Sequence, residues 1–556
     1  MLAVATAALV VGCALFGGGW PLEEAIERMP RTGRSVPLVV NGEEIFQAAF
    51  DRAFVYIHGR AYLDRKIRDF LVADEIELRR KNGQAVEDLR IGDEELRKEV
   101  ASRKEELQEQ IQGGVDLKAV LRFQGMDEST FADEQASLLL FDRVFIPEDS
   151  TKWSETTVQA LESQGGQEFV DKTMKGLRPP VVEAPATEEL QDKGLQALVD
   201  REIKALREPA RRQPNAPIPA FYRTIFRQWI TKALKEASNI RTASDGLPPE
   251  VVLTVNGRPL LTAEAYPIVA RRVTAHDREK VVRWMAWATA TRQALAKAGV
   301  YLSEEEFAKE WQSHVGPYEE TPFSIEVVAT AFKRFPSYDL YREYFRLRKS
   351  FEKMIEKKVT DEALLQHRAR VQDFLGDGKV DAQVILRPAI DYTDFSWEGP
   401  DAFDKAKKEA EEVMGELKEG VTFEDAIDRY SEFFDPPAPA GGQQVRQGPR
   451  PNRGRFGPQS KNQLKSLLGE SEFDEIVRGY SIGEILFHET ALLEVVGPMR
   501  GPLGWYIGRV LERLPGTKTV DFALETTRNL LREDYLTRRF IDWSADVVAH
   551  SRFKIR

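Results

Sequence analysis

The sequence predicts an α+β multidomain protein, mostly helical, that carries one small α+β domain with an antiparallel sheet. Three observations lead there. The chain has 556 residues, too many for one hydrophobic core, so three or more domains are expected. A Val-Asn-Gly landmark occurs twice, at Val40-Asn41-Gly42 and Val255-Asn256-Gly257, each time behind an apolar run and ahead of a long helical pattern. From Val380 onward the pattern changes to strand, helix, helix, Pro/Gly-rich loop, helix and strands, the order of a small domain built on one sheet.

Residues 1–22 form the first element. The run 2–16, LAVATAALVVGCALF, is almost wholly apolar. As a helix it would reach about 22 Å, short of the roughly 30 Å hydrocarbon core. That length suits the core of a signal peptide. Val10-Val11-Gly12-Cys13 is close to a lipobox, which makes Cys13 the candidate lipidation site. A cleaved signal, a lipid anchor and a short membrane anchor all stay open, and no Lys or Arg precedes the run. Each route places the rest of the chain outside the cytoplasm, in the periplasm or cell envelope.

Residues 36–150 and 248–375 form the two copies of the repeat. Each opens with a strand and an Asn-Gly turn. A helical stretch, Ile45 to Arg80 in the first copy, follows. Next comes an acidic helix start, Asp93-Glu94-Glu95 in the first copy and Ser303 with Glu304, Glu305 and Glu306 in the second; acidic groups suit the positive end of the helix dipole. The second copy is dense in aromatics: Trp284, Trp287, Phe332, Phe335, Tyr338, Tyr341, Tyr344 and Phe345. Their spacings of three and four put several on one helical face, mostly as core. Between the copies, residues 151–247 contain the linker signals Pro179-Pro180 and Pro209–Pro219, with helical stretches at Glu188–Arg207 and Phe221–Glu236.

Residues 376–515 begin with a strand at Asp381–Arg387. A helix is expected at Asp401–Leu417, and a second near Thr422, capped by that threonine. A loop spans Asp435–Arg455, a short helix lies at Phe473–Arg478, and Gly501–Arg509 ends in a strand. Residues 516–556 hold a long amphipathic helix, Val520–Ala545, and a strand-like Phe553–Arg556.

The composition narrows the function classes. Hydrophobic residues make up 42% and charged residues 30%, with a net charge of −11 and both signs interspersed. No basic stripe tracks phosphates, so nucleic acid is not an expected partner. One cysteine allows no internal disulfide and no multi-cysteine metal site, and the six histidines form no HxxxH pair. No GxSxG, HExxH, P-loop or dinucleotide fingerprint is present. No cofactor and no metal are expected.

The strand-VNG-helix opening, the acidic helix start and the segment Phe123 to Phe131 resemble the chaperone module of the SurA/PpiD/PrsA family of extracytoplasmic folding factors, here in duplicate. Residues 380–514 resemble a parvulin-type prolyl-isomerase domain through Val380–Leu386, Gly420-Val421-Thr422-Phe423, Tyr430-Ser431, Phe473, Gly483-Glu484-Ile485 and Gly504-Trp505-Tyr506-Ile507. The resemblance implies a peptidyl-prolyl cis-trans isomerase scaffold, unfolded or proline-containing polypeptide as client, and a last helix and strand that fold back onto the chaperone module. It also implies a catalytic network of two histidines and a Cys or Asp. Here those three positions match Val384, Tyr506 and Phe433, so the site is degenerate. The substrate-binding positions it implies are Phe473, Phe456, Leu386 and Trp505. Phe473 is read equally as plain core, Tyr506 as a packed strand residue and His488 as a solvent-facing loop residue. Three functions follow: a holdase chaperone with weak or no isomerase catalysis, an active isomerase, or a non-catalytic assembly protein of the cell envelope.

Overall fold

The computed structural model describes residues 22, 25–26, 38–84, 86, 89–110, 121, 127–147, 157, 220–271, 275–319, 325–375, 377–391, 396–397, 401–431, 454–518 and 520–555. Cys13, Phe433, Phe123, the helical stretch expected at Glu188–Arg207 and most of the loop expected at Asp435–Arg455 lie outside them. The described chain is mostly helical with small antiparallel sheets, an α+β multidomain architecture. Among the described residues no helix is long and apolar enough to cross a membrane.

Both Val-Asn-Gly sites are hairpin turns. Leu38–Val40 pairs with Glu43–Ile45, and Val251–Val255 with Arg258–Leu261. Asn41 and Asn256 have φ of 50° and 51°, and Gly42 and Gly257 follow at 93° and 82°. Two successive left-handed residues match the right-handed twist of the strands, and Asn-Gly supplies them at low steric cost.

Four of the described helices after each hairpin correspond. In the first copy they are Gln47–His58, Arg60–Lys81, Asp93–Gln110 and Glu128–Phe145; in the second, Thr262–Ala270, Ala275–Lys297, Glu304–Glu319 and Tyr338–Ile355. The single stretch expected from Ile45 to Arg80 is broken at Gly59. A Cβ there would lie 2.6 Å from the Val55 carbonyl oxygen and 2.9 Å from Cγ2 of Val269. A side chain would hold the two first helices apart. They pack directly: the Phe54 and Tyr266 rings lie 5.1 Å apart, and the Tyr56 hydroxyl donates to the Val252 carbonyl at 2.5 Å. One core therefore joins both copies, from Phe50 and Phe54 through Trp284 and Trp287 to Tyr344 and Phe351. The aromatic stripe of the second copy is core at most positions, while Phe332 remains 62% exposed.

The helix start expected at Ser303 is a capping box. Its hydroxyl accepts from the Glu306 amide at 3.2 Å, and Glu306 accepts from the Ser303 amide at 2.9 Å. The acidic start at Asp93 opens a helix as expected.

Each hairpin gains a third strand from elsewhere in the chain. Phe553–Ile555, beyond the helix Glu525–Ala549, pairs with Leu38–Val40. Ile240–Arg241, beyond the helix Ala220–Ala237, pairs with Val251–Val255.

The last sheet has four antiparallel strands in the spatial order Val495–Arg500, Gly504–Leu514, Lys379–Pro388 and Arg455–Gln459. The edge strand Arg455–Gln459 falls where the sequence predicted the end of a loop. Helices Ala402–Lys418 and Phe423–Tyr430 cover one face. Thr422 caps the second, its hydroxyl accepting from the Asp425 amide at 3.1 Å. The opposite face is covered by Lys461–Leu467 and the turns around Ile482 and Leu486.

Candidate functional site

The central strand Lys379–Pro388 is buried on both faces, so its side chains alternate between two cores. Val384 and Leu386 point to one face and Ile385 to the other. On the neighbouring strand Tyr506 lies opposite Leu386, and Gly508 opposite Val384. Tyr506 joins Val384 and Leu386 on the same face, with Leu464, Leu468, Ile482, Leu486 and Met499. The structure thus brings together Val384, Leu386 and Tyr506, and Phe456 packs half-buried against the same cluster.

That face is buried. Val384, Leu386 and Tyr506 are each wholly buried. The Tyr506 hydroxyl donates to the Leu468 carbonyl at 3.2 Å, and its ring lies so close to Gly501 that a Cβ there would sit 2.2 Å from Cε2. The Val384 amide donates to the Gly454 carbonyl at 2.7 Å. Ser431, the C-cap of the helix Phe423–Tyr430, donates to the Val384 carbonyl at 3.4 Å and accepts from the Leu386 amide at 3.3 Å. The backbone polar groups at this centre are bonded within the protein. A buried tyrosine hydroxyl with a carbonyl partner is a satisfied core group.

Trp505 and Phe473 lie elsewhere. Trp505 points to the opposite sheet face, where Nε1 donates to the Phe403 carbonyl at 2.9 Å and the ring packs under the helix Ala402–Lys418. Phe473 is wholly buried, but in the core of the helical copies. It stacks on Trp284 at 5.1 Å and meets Phe335 edge-on at 5.8 Å. Its short helix, Glu472–Arg478, is clipped to the helical body by Lys333–Glu472 at 2.9 Å and Lys280–Asp474 at 2.7 Å.

His488, expected in a solvent-facing loop, is instead buried; its side chain is 5% exposed. Residues 485–489 form a wide helical turn that carries it under Phe374 and beside Phe487. Burial pushes its pKa down to about 3, with the Arg538 charge acting in the same direction.

Sequence reasoning missed the charged cluster around it. Lys461 pairs with Glu484 at 2.6 Å, Arg538 reaches both Glu484 and Asp534, and His367 bonds Asp534 at 2.7 Å. These groups come from Lys461–Leu467, the Ile482 turn, the helix Asp361–Leu375 and the helix Glu525–Ala549. Burial raises the Asp534 pKa, but the His367 hydrogen bond and the Lys461 and Arg538 charges overcome it and hold the carboxyl well below its usual range. A second missed group is Glu470. It accepts from Arg478 and the Ile482 amide through one oxygen, and from Ser481 and the Gly483 amide through the other. The legible signal was Gly483-Glu484, a glycine before an acid in an apolar run: a Cβ at Gly483 would lie 2.5 Å from Cγ of Lys465.

No protein-family model matches the chain, and no curated protein is significantly similar to it. Solved structures do align with part of it. A peptidylprolyl isomerase (PrsA) from Bacillus cereus is 13% identical, with 54% of this chain and 89% of that one covered at a TM-score of 0.18. A peptidylprolyl isomerase (PrsA) from Bacillus anthracis is 15% identical over 47% of this chain and 96% of its own, with a TM-score of 0.19. PrsA from Bacillus subtilis is 19% identical over 54% and 91%, with a TM-score of 0.15. Over about half its length, then, this chain is distantly similar to solved PrsA structures.

Proposed function

We propose that this protein is an extracytoplasmic folding factor, a holdase that binds unfolded polypeptide and whose parvulin-like domain has weak or no isomerase activity. One observation carries the catalytic half of the reading: Val384 and Tyr506, which the resemblance matches to the parvulin histidines, lie on one face of the sheet in a buried apolar core. Prolyl isomerisation requires a site that binds the twisted amide better than the planar one. Among the described residues, the wholly buried Val384, Leu386 and Tyr506 side chains support a face without an open seat for a proline ring, and neither Val384 nor Leu386 offers a polar group to its carbonyl.

The holdase half is supported by the duplicated helical copies and by large apolar side chains that stay exposed on them, among them Phe46 at 71% and Phe332 at 62%. Transient cover for non-native chains needs adaptable apolar surface more than fixed polar contacts. The clients proposed are unfolded and proline-containing polypeptides, met outside the cytoplasm.

The test uses the full chain in two assays. In a proline-limited refolding assay, the rate stays within twofold of the uncatalysed rate. In light scattering, near-stoichiometric protein suppresses aggregation of a reduced, unfolded client. A tenfold faster refolding would instead establish an active isomerase. Absence of suppression, with capture of one stable envelope partner, would establish an assembly role.

A further inference from the structure

The two Asn-Gly turns are bound alike by groups from distant parts of the chain. The Asn41 amide donates to the Arg552 carbonyl, and the Asn256 amide to the Asn239 carbonyl, both at 2.9 Å. Oδ1 of Asn41 accepts from the Arg552 amide at 2.8 Å, and Oδ1 of Asn256 from the Asn239 amide at 2.9 Å. Nδ2 of Asn41 donates to the Ser551 hydroxyl at 3.2 Å, and Nδ2 of Asn256 to the Ser238 hydroxyl at 3.4 Å. Each Nδ2 makes one further bond, to the second helix of the other copy: Asn41 to Gln293 at 2.9 Å, Asn256 to Asp74 at 2.8 Å. The strand registers match as well, Val40 with Phe553 and Val255 with Ile240.

The helices that lead into these strands also correspond. Ala220–Ala237 buries Phe226 and Trp229 against Val72, Phe141 and Phe145, within the first copy. Glu525–Ala549 sets Phe540 against Trp287, Tyr344 and Phe351, and Trp543 against Phe351, within the second. Both carry Phe-x-x-Trp and then a serine just before the strand. Each closing helix thus stays with its own copy, while the strand behind it crosses to the hairpin of the other.

We infer that the chain is a tandem duplication of one complete folding unit, comprising hairpin, four helices, insert, closing helix and closing strand, in which the two closing strands are exchanged so that each unit straps the other shut. The insert of the second unit contains the parvulin-like region, and residues 146–219 occupy the corresponding place in the first. The two units cannot part without opening two sheets, so they behave as one body. None of this depends on whether the parvulin-like region catalyses anything.

Disulfide mapping of the full chain in a Cys13→Ser background tests the exchange. Val40 with Phe553, and Val255 with Ile240, are strand neighbours at positions flanking a hydrogen-bonded pair, where Cα atoms approach to about 4.5 Å, within disulfide reach. On oxidation, the cysteine pairs Val40→Cys/Phe553→Cys and Ile240→Cys/Val255→Cys form intrachain disulfides in peptide mass mapping. The unexchanged pairs, Val40→Cys/Ile240→Cys and Val255→Cys/Phe553→Cys, do not. A bridge in either unexchanged pair, or none in either exchanged pair, overturns the inference. As a second measurement, Arg552→Pro removes the amide bonded to Asn41. Hydrogen exchange then accelerates at least tenfold at residues 38–45 and is unchanged at 251–261. Loss of protection at 251–261 with 38–45 intact would overturn it equally.

Discussion

Phe473 stacks on Trp284 with ring centroids 5.1 Å apart, so a residue that the family resemblance places in a substrate pocket is the rivet between the sheet domain and the helical body. Lys280 lies 5.3 Å over the same ring and also pairs with Asp474. Phe473→Ala is expected to destabilise the protein by about 3–5 kcal/mol, the usual cost of removing a wholly buried phenylalanine. Chemical denaturation measures it. A loss under about 1 kcal/mol would mean that the ring faces open space and is free to seat a ligand.

Placing histidines at the two positions that the resemblance matches to the parvulin histidines tests the buried sheet face. Val384→His with Tyr506→His enlarges one buried side chain, shrinks the other, adds polar groups to an apolar core and discards the bond from the Tyr506 hydroxyl to Leu468. Overpacking and unsatisfied polar groups each cost about 1–3 kcal/mol. The double variant is expected to lose stability in that range or more and to gain no isomerase activity. Refolding accelerated tenfold in the variant would show that the pocket opens readily.

The cluster around His488 predicts acid lability. Its pKa in the folded protein, about 3, lies below its ordinary value. As pH falls through 6.5 the unfolded chain binds the proton and the folded one does not, so stability drops. Glu484 and Asp534 are also held below their ordinary carboxylate values, despite burial, by Lys461 and Arg538 and, for Asp534, by His367. Their contribution is present above the carboxylate range and is lost as pH falls through it. Both effects have the same sign. Stability is expected to fall by roughly 1–2 kcal/mol between pH 6.5 and 5 from His488 alone. His488→Asn should flatten that segment of the profile and leave the steeper loss below pH 4.

Glu470 holds four donors on two oxygens, and Arg478 beside it is 7% exposed. Glu470→Ala would take the carboxylate from a buried guanidinium, leaving it the Asp474 and Arg500 carbonyls, and would strip two backbone amides of their acceptor, at a cost of about 3–5 kcal/mol. Glu411→Ala, on an exposed helix face beside Lys407, should stay within about 0.5 kcal/mol. Equal effects at the two sites, read by urea denaturation, would show that the four bonds to Glu470 contribute nothing to stability.

Local rules were legible in the sequence, and contacts between distant segments were not. Asn41-Gly42 and Asn256-Gly257 announce hairpins because few other residue pairs take two left-handed conformations. Ser303 and Thr422 announce helix starts because their hydroxyls serve orphan amides. The strand Arg455–Gln459 was hidden by Gly457 and Pro458, which argue against a strand interior and are tolerated at this sheet edge. His488 read as a loop residue because its burial comes from Phe374 and from the helix Glu525–Ala549, neither of them near in sequence. The site was half legible. The alternation along Lys379–Pro388 set Val384 and Leu386 on one face, but which helices close that face, and that Trp505 points away from it, depends on packing.

The strand formed by Phe553–Ile555 has a temporal consequence. Its partner, Leu38–Val40, is translated more than 500 residues earlier, as the 510-residue separation of Asn41 and Ser551 records. The first hairpin must wait for more than 500 further residues to leave the ribosome before its edge is covered. Closing so long a loop is slow more than it is costly. During synthesis the nascent chain itself therefore presents an unpaired strand edge, the feature by which other proteins aggregate.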